Sequence, residues 1–217
     1  MEKPIIEIKN LNKAFQDEQI LRSINLSFMP GKIYGVVGKN GSGKSMLLKC
    51  ICGLVVPTSG EIIVEGKIVG RDVDFPENVG LTIDASGFLP YYSGIKNLNI
   101  LASIRNLADR KMIDKSIQRV GMEKYAKKMY GKYSTGMKQR LAIAQAIMEN
   151  PSLLLLDEPL NGLDEEGIND VRALFRELKG EGKTIIMATH SKEDIDNLCD
   201  VIIEMSKGEA SVKNYPT

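Results

Sequence analysis

At 217 residues, with 43% hydrophobic and 26% charged content and a net charge of +1, the chain suits one soluble globular domain, or one core with a subdomain. That balance gives no global drive toward nucleic acid or membrane, and no apolar run approaches the roughly 20 residues needed to span a bilayer. The N-terminus, MEKPIIEIKN, lacks the apolar core of a signal peptide, and Cys50, Cys52 and Cys199 are too sparse for a disulfide framework and read as reduced thiols.

In chain order, 5–8 alternates like a strand and 20–28 reads as another, before a turn at Pro30-Gly31. Residues 33–37 are a short apolar run, the pattern of a buried strand, leading straight into a glycine-rich stretch and a helix over 44–52. A turn at 57–60 precedes a hairpin over 61–69 with Gly66 at its tip, and 79–83 is a candidate strand. From about Ile95 to Met148 the periodicity is helical, with breaks near Gly121 and Gly131. Residues 153–156 and 184–188 read as buried strands flanking a helix over 166–178, and 201–205 as a last strand. Strands alternating with helices imply an α/β fold with a mostly parallel sheet, interrupted by an inserted helical block.

The chemistry concentrates in a few places. Gly38-Lys39-Asn40-Gly41-Ser42-Gly43-Lys44-Ser45 matches the phosphate-binding pattern G-x-x-x-x-G-K-[ST] in full, with an apolar strand before it and a helix, continuing through Met46, after it. Its glycines let successive backbone N–H groups turn inward around a phosphate, and the helix N-terminus adds partial positive charge. In this pattern Lys44 reaches the β- and γ-phosphates and the Ser45 hydroxyl ligates Mg²⁺. The loop is shared by kinases, GTPases and other NTPases. The stretch YSTGMKQRLAIAQAIMENPSLLLLDEPLNGLD, residues 133–164, is more specific. It joins a Ser-x-Gly turn opening a helix, an all-leucine strand ending in Asp157 and Glu158, and a Gly-containing turn ending in Asp164. Ser134 also suits a plain helix N-cap.

This order of motifs resembles the ATP-binding-cassette (ABC) ATPases over essentially the whole chain, and the STGMKQR form is similar to the ATPase subunits of bacitracin- and lantibiotic-type exporters. The resemblance implies a P-loop NTPase core with an N-terminal antiparallel β subdomain and an inserted helical subdomain: one domain over 1–217, core 1–84 and 150–217, helical part about 85–149. It implies ATP and Mg²⁺ as ligands, hydrolysis of ATP, a separate integral membrane permease, and a second ATPase subunit, identical or paralogous. Ser134 and Gly136 of one subunit then meet the γ-phosphate held by the other, although the common Leu-Ser-Gly-Gly-Gln reads Tyr-Ser-Thr-Gly-Met here. It implies Asp157 on the metal through water, Glu158 as general base toward the attacking water, and His190, the single histidine, at the γ-phosphate. Asp164 resembles the loop linking the two sites. Phe15 lies where the family stacks an aromatic on adenine. Asp84 takes the place of a usual glutamine, and reads either as a metal ligand through water or as a strand end.

Residues 105–140 carry 11 Lys or Arg against 3 Asp or Glu, so the rest of the chain is acidic. This basic face suits an anionic inner leaflet, or is simply solvated. Phe88, Tyr91 and Tyr92 precede it, lining a partner groove or packing as core. The expected location is cytoplasmic, peripheral on the inner membrane face, with export as the expected direction of transport and no nucleic-acid partner. The alternative is a soluble ABC-type switch. Two cassettes in one chain or a long coiled coil would mark such proteins, and neither fits this length. A P-loop kinase lacks the Ser134-Gly136 element, and a catalytically dead binding module would not retain Lys44, Asp157, Glu158 and His190 together.

Overall fold

The computed structural model describes residues 3–16, 18–83 and 87–213. An antiparallel sheet in the order β2-β1-β4-β5 is formed by β1 (Ile6–Phe15), β2 (Glu18–Phe28), β4 (Ser59–Val64) and β5 (Lys67–Ile68). A six-stranded sheet is formed by β3 (Ile33–Val37), β6 (Val79–Thr82), β7 (Leu153–Asp157), β8 (Thr184–Thr189), β9 (Val201–Ser206) and β10 (Glu209–Lys213). Its order is β10-β9-β3-β8-β7-β6, all parallel except β10.

Both faces of this sheet are covered, which is why β7 and β8 read as unbroken apolar runs rather than alternating ones. Alternate residues serve two cores. Leu154, Leu156, Ile185 and Met187 join the core that includes α4 (Thr135–Ile147) and α5 (Glu165–Gly180). Leu153, Leu155, Ile186 and Ala188 join the one built from α1 (Lys44–Ile51) and the antiparallel sheet. On α5 the buried Val171, Leu174, Phe175 and Leu178 recur at helical spacing and form its core-facing stripe.

The inserted segment contains α2 (Gly94–Arg105), α3 (Arg110–Arg119) and two 3-10 turns, Glu123–Tyr125 and Tyr130–Lys132, before α4. A break at 106–109, not foreseen in the helical periodicity, comes from Asn106 in the left-handed region (φ 53) and from Asp109, which caps α3 by accepting from Met112 N at 2.8 Å. Helix α4 belongs to the insertion and to the sheet alike. Gly80 on β6 sits so close beneath it that a Cβ there would fall 1.9 Å from the Ala146 carbonyl oxygen.

Two elements correct the sequence reading. Residues 201–205 are not the last strand, because β10 follows them and pairs antiparallel with β9 from Glu209 to Lys213. A short helix α6 (Lys192–Leu198) also follows β8, capped by Ser191, whose hydroxyl accepts from Asp194 N at 3.2 Å. Among the described residues no helix is long and apolar enough to cross a membrane. Because β3, β7 and β8 are parallel neighbours in one sheet, the loops after them leave from one edge. That edge is where open α/β sheets bind ligands.

Candidate functional site

The loop between β3 and α1 is a cradle of backbone. Gly38 approaches β9 so closely that a Cβ would fall 2.3 Å from the Met205 carbonyl oxygen. Gly41 (φ 77) and Gly43 (φ 105) hold left-handed conformations that a side chain would resist. The N–H groups of Gly41, Gly43 and Lys44 have no partner among the described residues, so they are free donors at a helix start. The Lys44 side chain is buried and folds back over the loop, donating to the Gly38 carbonyl at 2.8 Å and the Lys39 carbonyl at 3.3 Å. Ser42 Oγ is buried with no partner among the described residues. Asn40 is exposed and Ser45 and Met46 are half-buried beside the cradle.

Two strands away, β7 ends at Asp157, whose Oδ1 is buried and also unpartnered among the described residues. Buried polar atoms are normally satisfied; Thr82 Oγ1 and Arg119 Nε are also unpartnered among the described residues, but Ser42 and Asp157 lie in loops that leave the same edge of the sheet, which suits a ligand bound there. Glu158 takes the left-handed conformation (φ 47) while its N–H donates to the Ala188 carbonyl on β8 at 2.9 Å. A non-glycine residue there costs about 1–3 kcal/mol and persists only where its surroundings enforce it. The kink sends the Glu158 carboxylate away from Asp157 and onto the loop after β8. There Oε1 lies 2.8 Å from His190 Nδ1. A carboxylate can only accept, so Nδ1 carries the hydrogen and Nε2 remains exposed on a largely solvent-facing ring.

Helix α4 starts at the Ser134 cap, where Ser134 Oγ accepts from Met137 N at 3.2 Å. The N-cap role is therefore real, yet the hydroxyl hydrogen stays free to donate. The N–H groups of Thr135 and Gly136 are also free among the described residues. This turn packs on the loop after β7: a Cβ on Gly136 would lie 3.1 Å from the Gly162 carbonyl oxygen, and one on Gly162 would lie 2.6 Å from Thr135 Cγ2. Asp164 caps α5, accepting from Gly167 N at 2.9 Å. Ser134, Gly136, Gly162 and Asp164 line an open cleft of ≈ 630 Å³ that includes no residue of the phosphate cradle. That cleft and the phosphate cradle are therefore lined by different residues. Two residues absent from the sequence reading join these parts. Gln139 Nε2 donates to the Pro159 carbonyl at 2.9 Å and the Glu158 carbonyl at 3.4 Å. Arg140 links the Val120 carbonyl to the Asp170 carboxylate, at 2.8 Å each. Their partners are a backbone and a distant helix, which no local motif advertises.

Phe15 is not core: its ring is 49% exposed at the end of β1, with Lys13 Nζ 4.4 Å from its centroid. Asp84 lies outside the described residues. The aromatic group divides, with Phe88 buried against Tyr130 (centroids 5.1 Å apart) and Tyr91 and Tyr92 exposed. In the basic block the arginines are paired, Arg105 with Glu149, Arg110 with Asp114, Arg119 with Glu177 and Glu181, and Arg140 with Asp170. Lys124, Lys127, Lys128 and Lys132 are exposed and form no ion pair among the described residues. Cys50, Cys52 and Cys199 are free thiols.

Comparison with known proteins places this geometry. The family described as ABC transporter matches residues 21–161. The ABC transporter ATP-binding protein YybJ of Bacillus subtilis is 46% identical over 204 residues, 94% of either chain. The bacitracin transport ATP-binding protein BcrA of Enterococcus faecalis is 39% identical over 206 residues, 94% of this chain and 67% of its own. Among solved structures, CbiO1 from Clostridium perfringens, part of the ABC transporter complex CbiONQ, superposes with a TM-score of 0.83 at 31% identity, covering 97% of this chain and 88% of that one.

Proposed function

The chain belongs to the ABC transporter family as an ATP-binding, ATP-hydrolysing subunit, and we propose that it drives export through a separate membrane permease while paired head to tail with a second copy of itself. The observation that carries this reading is the split site. The phosphate cradle and the Glu158–His190 pair occupy one sheet edge, while the free donors of Ser134 to Gly136 line a cleft without the cradle. A site divided this way is completed by pairing two chains.

In each composite site Lys44 turns from its own loop carbonyls to the β- and γ-phosphates, and Gly38 to Met46 surround them with backbone donors. Phe15 offers an exposed aromatic face to adenine. The partner's Ser134 hydroxyl and Gly136 N–H meet the γ-phosphate from the other side, at a helix start that favours negative charge. Glu158 accepts the proton of the attacking water, and His190, held by Nδ1 on that carboxylate, presents Nε2 toward the γ-phosphate. The orphaned Asp157 Oδ1 fits a magnesium ion: Ser45 and Asp157 would hold it, with Asp84 the third expected position. Among the described residues no cluster of three or more His, Cys, Asp or Glu could hold a metal ion. Bound there, Mg²⁺ supplies charge neutralisation on the phosphate oxygens. ATP closes the pair and hydrolysis reopens it, a motion the permease converts into transport. Export follows the similarity to the bacitracin transport protein BcrA. The location is cytoplasmic, against the inner face of the membrane, where the unpaired lysines of 124–132 meet anionic lipid.

Affinity purification of tagged protein from native cells after gentle detergent extraction tests the assignment. A polytopic membrane protein in stoichiometric amount is expected. Recovery only from the soluble fraction with ribosomal or DNA-bound partners would replace the transporter reading with a soluble ATPase switch.

A further inference from the structure

The loop from Glu158 to Asp164 leans on the first two turns of α4 at both of its ends. At the far end Gly162 packs on Thr135 and Gly136; at the near end Gln139 donates to the carbonyls of Glu158 and Pro159. These two hydrogen bonds fall on the two peptide units that follow the left-handed Glu158, the one strained residue in the loop besides glycine, and the Glu158 carbonyl also accepts from Asn161 N at 3.2 Å. Gln139 lies three residues beyond Gly136, so the same helix turn that presents donors to a partner's phosphate reaches back to this chain's own Glu158.

We infer that Gln139 is a positioning residue for hydrolysis: its amide N–H₂ holds the Glu158 kink so that the carboxylate meets His190. Through it the Ser134–Gly136 turn that opens α4 is tied to the hydrolytic pair of its own chain. The alternatives to the kink explain why a donor is required. Released from Gln139, the Glu158 and Pro159 carbonyls lose an anchor on the insertion. The peptide can then relax out of the left-handed region, which moves the carboxylate off His190. An error of about 1 Å in a reacting group is enough to cost on the order of 100-fold in rate. The hydrogen bonds do not touch the phosphate cradle, so ATP affinity does not depend on them.

This inference rests on Glu158 being the general base, and the test separates the two. ATPase turnover, KM for ATP and thermal stability are measured on the full-length chain for Gln139→Met, Gln139→Lys, Glu158→Gln and wild type. Gln139→Met keeps the length and apolar stem but cannot donate; kcat should fall at least tenfold with KM and Tm little changed. Gln139→Lys restores a donor of similar reach and should recover most of the loss. Wild-type kcat in Gln139→Met, with Glu158→Gln inactive, overturns the positioning role alone. Equal losses in Gln139→Met and Gln139→Lys, or a loss that tracks a fall in Tm, would show packing rather than donation and also overturn it. Full turnover in Glu158→Gln removes the general base, and the inference with it.

Discussion

In the proposed assignment, Glu158 decides whether the chain is an enzyme or only a nucleotide clamp. Its positive φ separates two consecutive carboxylates: Asp157 stays buried at the strand end, while Glu158 is turned onto His190. Glu158→Gln keeps the shape and the nucleotide contacts but cannot take a proton. It should bind ATP as wild type does and lose about 10²–10⁴ in hydrolysis, by equilibrium binding and phosphate release. Lys44→Ala should instead abolish binding, because it removes the one cation folded into the cradle. The cysteines play no part in this chemistry. Burial pushes the Cys50 thiol up to about 12, and burial with nearby Asp200, Asp194 and Asp196 does the same for Cys199, both from an ordinary 9.0. Iodoacetamide at about pH 8 should leave both unmodified in the native protein. An unfolded chain releases those protons above its own pKa while the folded one retains them. Stability should therefore fall as pH rises from 9.0 toward about 12.

At the scale of elements, α6 sets the position of the loop that carries His190. Its anchor is a buried ion pair: Arg172 on α5 contacts Asp194 Oδ1 through Nη2 at 2.5 Å and Nε at 3.1 Å, with Glu193 at 2.8 Å. Asp194→Ala leaves the buried guanidinium only the exposed Glu193 carboxylate and should cost about 1–3 kcal/mol in denaturant unfolding. This helix also marks where sequence reading stops. Strands β3, β7 and β8 were legible because burial on both faces leaves uninterrupted apolar runs, and the phosphate cradle because its pattern is local. Helix α6, KEDIDNL, has an aspartate at one of its two buried positions, and what satisfies it lies 22 residues away on α5. Strand β10, EASVK, is a short, mostly exposed edge that pairs in its sheet with β9. The contact of Glu158 with His190 spans 32 residues and depends on a backbone kink. Resemblance supplied the roles of both residues; the geometry that joins them could not be read from spacing.

At the scale of the whole molecule, the near-neutral net charge conceals a division. Paired arginines fasten the insertion to the core, while Lys124, Lys127, Lys128 and Lys132 are exposed. Each contributes about 1 kcal/mol to an anionic surface if it lies against one. Reversing charge at Lys124, Lys127 and Lys128 together should weaken binding to anionic vesicles and leave ATPase activity intact; unchanged vesicle sedimentation would leave that face merely solvated. The central claim is that the site is made by two chains. It is tested most directly by the mass of Glu158→Gln in solution, by light scattering behind a sizing column, with Mg·ATP, with Mg·ADP, and after adding Ser134→Arg. The account predicts twice the 24.0 kDa chain mass with ATP alone, and single chains with ADP or when Ser134→Arg blocks the partner's phosphate. A variant that binds ATP yet stays a single chain, or that pairs regardless of nucleotide and of Ser134→Arg, would contradict it.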